Sequence, residues 1–151
     1  MRGRRKAREI VLQVLYSLNF VNTDAQHTLD LFWGNFAAPK TAKEFAAFLV
    51  QGTCEHKDEL DKLIAGCSDN WSLGRMSRVD ISILRLAVFE FLYCDDIPPK
   101  VTLNEAVDLG KTFGSENSGS FINGILDALN LKLNKNNATK PLDRKSRPSQ
   151  T

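Results

Sequence analysis

Between Ile81 and Leu92 nine of twelve positions are apolar, namely Ile81, Ile83, Leu84, Leu86, Ala87, Val88, Phe89, Phe91 and Leu92. At 100° per residue they point to nearly every side of a helix, so this helix is stable only where neighbours surround it. Ser77-Arg-Val-Asp80 opens it as a short capping box, and Asp96-Ile-Pro-Pro-Lys100 ends it by removing amide donors and forcing Ile97 to be extended. Arg85 and Glu90 lie inside this run and need partners.

The remaining chain reads as helices packed around that centre. Ala7, Ile10, Val11, Val14, Leu15 and Leu18 recur at three- and four-residue steps, predicting an amphipathic first helix from Arg4 to Phe20. Asn22 to Gln26 reads as a turn, and Leu29, Leu31, Phe32, Trp33 and Phe36 as a short second helix ending before Pro39. Thr41-Ala-Lys-Glu44 is a capping box ahead of a long third helix, whose apolar face runs from Phe45 to Cys67. Asn70-Trp-Ser-Leu73 with Gly74 is a tight connection. Thr102-Leu-Asn-Glu105 is a second full box and starts a short fifth helix, which a left-handed Gly114 would end. Phe121, Ile122, Ile125, Leu126, Leu129 and Leu133 define a sixth. Nothing alternates at period two, so the expected fold class is all-α.

Composition narrows the class. At 151 residues, 42% hydrophobic and 25% charged, the chain can bury one ordinary core, and no apolar run reaches the ~18 residues that cross a bilayer. Cys54, Cys67 and Cys94 cannot all pair and form no framework, which points to a reducing cytoplasm. Neither they nor His27 and His56 offer a metal-ligand spacing, and no phosphate loop or nucleophile elbow is present. The expectation is a non-enzymatic protein with no cofactor and no metal. Charge is uneven: residues 1–16 carry +4, residues 134–151 carry +4, and the middle is left at −6 within a total of +2. Basic ends on an acidic body suit a polyanion at the ends and a basic protein on the body. The segment 134–151 is nearly devoid of apolar residues and reads as a polar, disordered tail following a domain over 1–133.

The basic start carries the chemistry. Arg4 and Arg8 lie one turn apart, with Arg5 and Lys6 beside them and Arg2 just ahead, at the helix end where cations are least favoured. Guanidinium forks match phosphate oxygens, and Tyr16, two turns on, is placed either to stack a base or to sit partly in the core. A one-sided cluster with an aromatic, and no helix-turn-helix signal, suits single-stranded RNA better than duplex DNA.

Several separated blocks then carry a resemblance. Arg4-Arg-Lys-Ala-Arg-Glu9, Leu12-Gln-Val-Leu-Tyr16, Asn70-Trp-Ser-Leu73, Val79-Asp-Ile-Ser-Ile-Leu-Arg-Leu-Ala87, Asp108-Leu-Gly-Lys-Thr-Phe-Gly114 and Phe121-Ile-Asn-Gly-Ile-Leu-Asp127 closely resemble the NusB family of transcription antitermination factors, over about residues 4–131. The resemblance implies two packed three-helix subdomains. It also implies binding to boxA of nascent ribosomal RNA together with the ribosomal protein NusE, and read-through by the RNA polymerase antitermination complex. By position it assigns RNA contacts to Arg4, Arg5, Lys6, Arg8 and Tyr16, and to Asn117, Ser118 and Phe121 at the start of the last helix; Asp80, with Arg75 and Arg78 nearby, falls to NusE. Asn117 stands where some relatives have an acid. Two alternatives accompany this reading. One is the NusB-like module of rRNA cytosine methyltransferases, which would need a further cofactor-binding domain. The other is a self-associating scaffold, because the family includes homodimers.

Overall fold

In the computed structural model, residues 3–21, 23–34, 38–68 and 72–139 are described. Among them are seven α-helices, one 3-10 turn and no strand: α1 (Arg4–Ser17), α2 (Ala25–Trp33), α3 (Lys40–Glu55), α4 (Lys57–Ala65), a 3-10 turn (Leu73–Arg75), α5 (Arg78–Tyr93), α6 (Pro99–Phe113) and α7 (Ser118–Thr139). The apolar helix is central, as its sequence requires. Helix α5 packs on α1, α3, α4, α6 and α7, and Ile81, Ile83, Leu84 and Val88 are wholly buried. Helices α1, α2 and α3 pack on one another, as do α5, α6 and α7, so two three-helix groups meet along α5.

The two charges within the apolar run of α5, Arg85 and Glu90, find partners. Arg85 donates through Nε and Nη2 to the Asp61 carboxylate at 2.7 and 3.1 Å, and Glu90 receives Arg8. Ser77 caps α5 by accepting from the Asp80 amide at 3.0 Å, as expected. The two full capping boxes do not form. Pro39 stands at the N-cap of α3 and Pro99 opens α6, so proline, with no amide and a preset φ, starts each helix before the threonine is reached. Thr102 is freed for the core, where its hydroxyl donates to Glu90 Oε1 at 2.9 Å.

The expected long third helix is two helices. His56 takes φ −104° and ψ 16° and breaks the run into α3 and α4, a bend that keeps both Leu49 and Leu60 fully buried. Just before the break, Gly52 lies against the outer end of the Phe89 ring, leaving no room for a Cβ. Gly114 does end α6, but in extended rather than left-handed geometry (φ −96°, ψ −161°); glycine is needed there because Ser118 fills the space a side chain would occupy. Helix α7 runs on to Thr139, so 134–139 continue it rather than begin a tail, and 140–151 lie outside the described residues. Asn70, Trp71 and Phe36 also lie outside them.

Candidate functional site

The basic start of α1 is divided by the fold. Arg8 faces inward and is 4% exposed, donating from Nε and Nη2 to the Glu90 carboxylate at 2.8 and 2.9 Å. Burial opposes its charge, yet the hydrogen bonds and attraction of Glu90 outweigh it and hold the guanidinium above its ordinary pKa. Arg8 is therefore a core cation, and the expectation that it contacts RNA is corrected: one turn from Val11, its side chain pairs inside the core with a carboxylate on α5. Arg4 is intermediate. Its guanidinium lies over Phe45, 4.3 Å from the ring centre, and reaches Asp96 at 3.5 Å, with a quarter of the side chain exposed. Among the described cations of this start, Arg5 and Lys6 have mostly exposed side chains. Even Arg5 is tethered, through Nη2, to Glu105 at 2.8 Å and Asp108 at 3.1 Å on α6, and hydrogen bonding and attraction to Glu105 are the main causes of its raised pKa. Lys6 is 3.7 Å from Glu9. Arg2 lies outside the described residues.

Following α1 toward its C-terminus, the same side becomes apolar. A groove of about 360 Å³ is lined by Leu12, Tyr16, Phe32, Val79 and Phe113, drawing on α1, α2, α5 and α6. Tyr16 is 40% exposed, with its ring edge-on to Phe20 at 5.1 Å, so it sits partly in the core and keeps an open face. Gln13 and Ser17 supply the groove's polar edge.

A second pocket of about 300 Å³ opens one residue further along α5 and beyond the end of α6. Its wall joins Arg75, Met76 and Asp80, from the 3-10 turn into the first turn of α5, to Ser115, Asn117 and Phe121, from the α6–α7 turn into α7. Residues nominated separately for RNA and for protein thus share one depression. Asp80 is 8% exposed and its Oδ1 is buried without a hydrogen-bond partner. A carboxylate oxygen left so is costly unless a donor arrives. Ser118 is a second correction. It is 1% exposed, and its Oγ accepts from the Ser115 amide at 2.9 Å, so it shapes the turn between α6 and α7 and is unavailable to a ligand. Arg78, the first residue of α5, is exposed but lines neither depression.

Sequence reasoning missed Glu105 and Asp108, which restrain Arg5, and Phe32, Val79 and Phe113, which complete the groove. Their signal was faint: Glu105 had a capping role available, and the three apolar residues were indistinguishable from core by spacing. Arg5, Leu12 and Tyr16 follow one side of α1 over eleven residues, roughly 16 Å at 1.5 Å per residue. The cations and the aromatic groove therefore succeed one another along one side of α1, and Val79 and Asp80, adjacent on α5, bring the groove next to the second pocket.

The family model described as the NusB family matches residues 5–130. The transcription antitermination protein NusB of Syntrophus aciditrophicus (strain SB) is 61% identical over 137 residues, covering 91% of this chain and 85% of that protein. Among solved structures, T. maritima NusB superposes with a TM-score of 0.80 at 38% identity, covering 85% of this chain and 91% of that one. A crystal structure of antitermination factors NusB and NusE in complex with dsRNA gives a TM-score of 0.79 at 28% identity, with 87% and 98% covered.

Proposed function

The chain belongs to the NusB family, and from that premise we propose that it is a transcription antitermination factor that binds RNA together with NusE across the α1–α6 face. The observation that carries this reading is the succession of solvent-exposed cations, an aromatic groove and an adjoining pocket with an unsatisfied carboxylate.

Each part has a physical role. Arg5 and Lys6, with Arg4 behind them and Arg2 ahead, hold phosphate oxygens and set the position of the RNA without reading its sequence. Asn117 and Phe121 offer an amide and a ring to an unstacked base, the combination that reads single-stranded RNA such as boxA. The groove around Tyr16 and Phe113 takes an apolar anchor from NusE, and Asp80 takes a cation or amine from that basic protein, with Arg75 and Arg78 at the rim. The role is binding, not catalysis, and it places the protein in the cytoplasm with RNA polymerase, where the assembled complex favours read-through.

The test is a fluorescence titration of boxA RNA with and without NusE, against a scrambled RNA. Cooperative, sequence-dependent binding is expected, and equal binding of both RNAs would reduce the face to nonspecific charge. The exposed groove also fits a second copy of this chain. Light scattering with NusE and boxA RNA present decides between these occupants: the heterodimer reading requires any homodimer to dissociate.

A further inference from the structure

We propose that the cleft between the C-terminal end of α1, the α3–α4 junction and the first turns of α5 is a site for a small protonated oxyanion, of the phosphate class. It shares no lining residue with the α1–α6 face.

The cleft has a volume of about 80 Å³, room for more than a single water. Asn19, Thr53, Cys54, Lys57, Ser82 and Arg85 supply its polar wall, and no carboxylate lines it. Thr53 is 2% exposed and its hydroxyl is buried with no partner, although a hydroxyl at such a place normally finds one. Lys57 stands exposed beside it and makes no ion pair among the described residues. Arg85 commits Nε and Nη2 to Asp61 and keeps Nη1 uncommitted. Three donors therefore remain. Ser82 is spent, donating to the Arg78 carbonyl and accepting from Asn19 Nδ2. Asn19 Nδ2 is likewise spent on Leu15 O, Tyr16 O and Ser82 Oγ, which leaves Oδ1 as a free acceptor. Three donors with one acceptor complement an oxyanion that still carries a proton, as hydrogen phosphate and the monoanion of a phosphate monoester do, and sulfate does not. The Cys54 thiol is pushed above its usual pKa by burial, so at neutral pH it adds no negative charge to repel an anion.

The experiment is a titration of the full chain with inorganic phosphate, followed by amide chemical shifts at constant ionic strength with chloride as the balancing salt. Saturable shifts confined to the amides around Thr53, Cys54 and Ser82 are expected, with sulfate at least severalfold weaker. Thr53→Val and Lys57→Gln, both isosteric or exposed changes, should each weaken binding at least fivefold while leaving the remaining spectrum unchanged. Shifts that grow linearly without saturation, or that are identical in both variants, would overturn the proposal and leave the cleft to water alone. A dinucleotide with and without a 5′-phosphate separates the two sources of this chemistry. Competition by the phosphorylated form alone assigns the site to an RNA end, and saturable phosphate binding with no competition assigns it to free phosphate.

Discussion

Replacing Arg8 by methionine separates a core cation from an RNA contact. The guanidinium and the Glu90 carboxylate are 5% and 1% exposed, joined by bonds of 2.8 and 2.9 Å, with the Thr102 hydroxyl adding a third at 2.9 Å and Glu105 at 3.8 Å from Arg8. Arg8→Met leaves Glu90 charged and uncompensated inside the protein, which costs about 3–5 kcal/mol. Against the ~5–15 kcal/mol that holds a domain folded, this is about a fifth of the total at the least. At a urea slope of about 2 kcal/mol per molar, the unfolding midpoint followed by circular dichroism should fall by roughly 1.5–2.5 M. Glu90→Leu alone should cost a similar amount. The double variant removes both charges and should recover most of the loss, short of about 1 kcal/mol for the stranded Thr102 hydroxyl. Because the arginine pKa is raised on folding, its contribution is fully present below the ordinary arginine range and should not vary between pH 5 and 9. The folded double variant should bind RNA with an unchanged salt dependence. Two results would refute the reasoning: a single variant as stable as the parent, or a well-folded double variant whose log–log salt slope has shrunk by about 0.7.

Other consequences are open to direct measurement. With Arg5, Lys6 and one or two more cations on single-stranded RNA, log affinity should fall against log salt with a slope of roughly −2 to −3, and Arg5→Ala should reduce it by about 0.7; a slope near zero would remove the phosphate contacts. Glu105→Gln with Asp108→Asn releases Arg5 and removes two charges beside the RNA, so affinity should rise at low salt and the gain should fade at high salt, as fluorescence titration can check. Gly52→Ala sets a methyl into the Phe89 ring and should cost about 1–3 kcal/mol in chemical denaturation, with Gly74→Ala, which meets nothing within 4 Å, as the control. Cys54 should be alkylated more slowly than a free thiol at pH 8. Because its pKa is raised in the folded protein, its contribution to stability is present below the ordinary thiol range and is lost as the pH climbs through the folded value.

Much of the architecture was legible because helical periodicity is a local property. The all-round apolar run of α5 announced both its central place and the need of Arg85 and Glu90 for partners, and both needs are met. Where local signals competed, the sequence was ambiguous. Pro39 and Pro99 displaced Thr41 and Thr102 from the caps their motifs favour, and the bend at His56 has no marker in a continuous apolar stripe.

The candidate face divides along the same line. Its residue types, a basic start and an aromatic two turns on, belong to the sequence alone, since composition and a 3.6-residue period place charges and rings on a helix without reference to anything else. Which cations remain free for a ligand was decided only by the tertiary structure. Whether an arginine serves the core or the solvent depends on the carboxylate that arrives opposite it, and Glu90 lies 82 residues from Arg8, and Glu105 lies 100 from Arg5. The orphaned oxygen of Asp80 and the shared pocket with Asn117 and Phe121 have the same origin, because burial is a property of packed helices and not of any one of them.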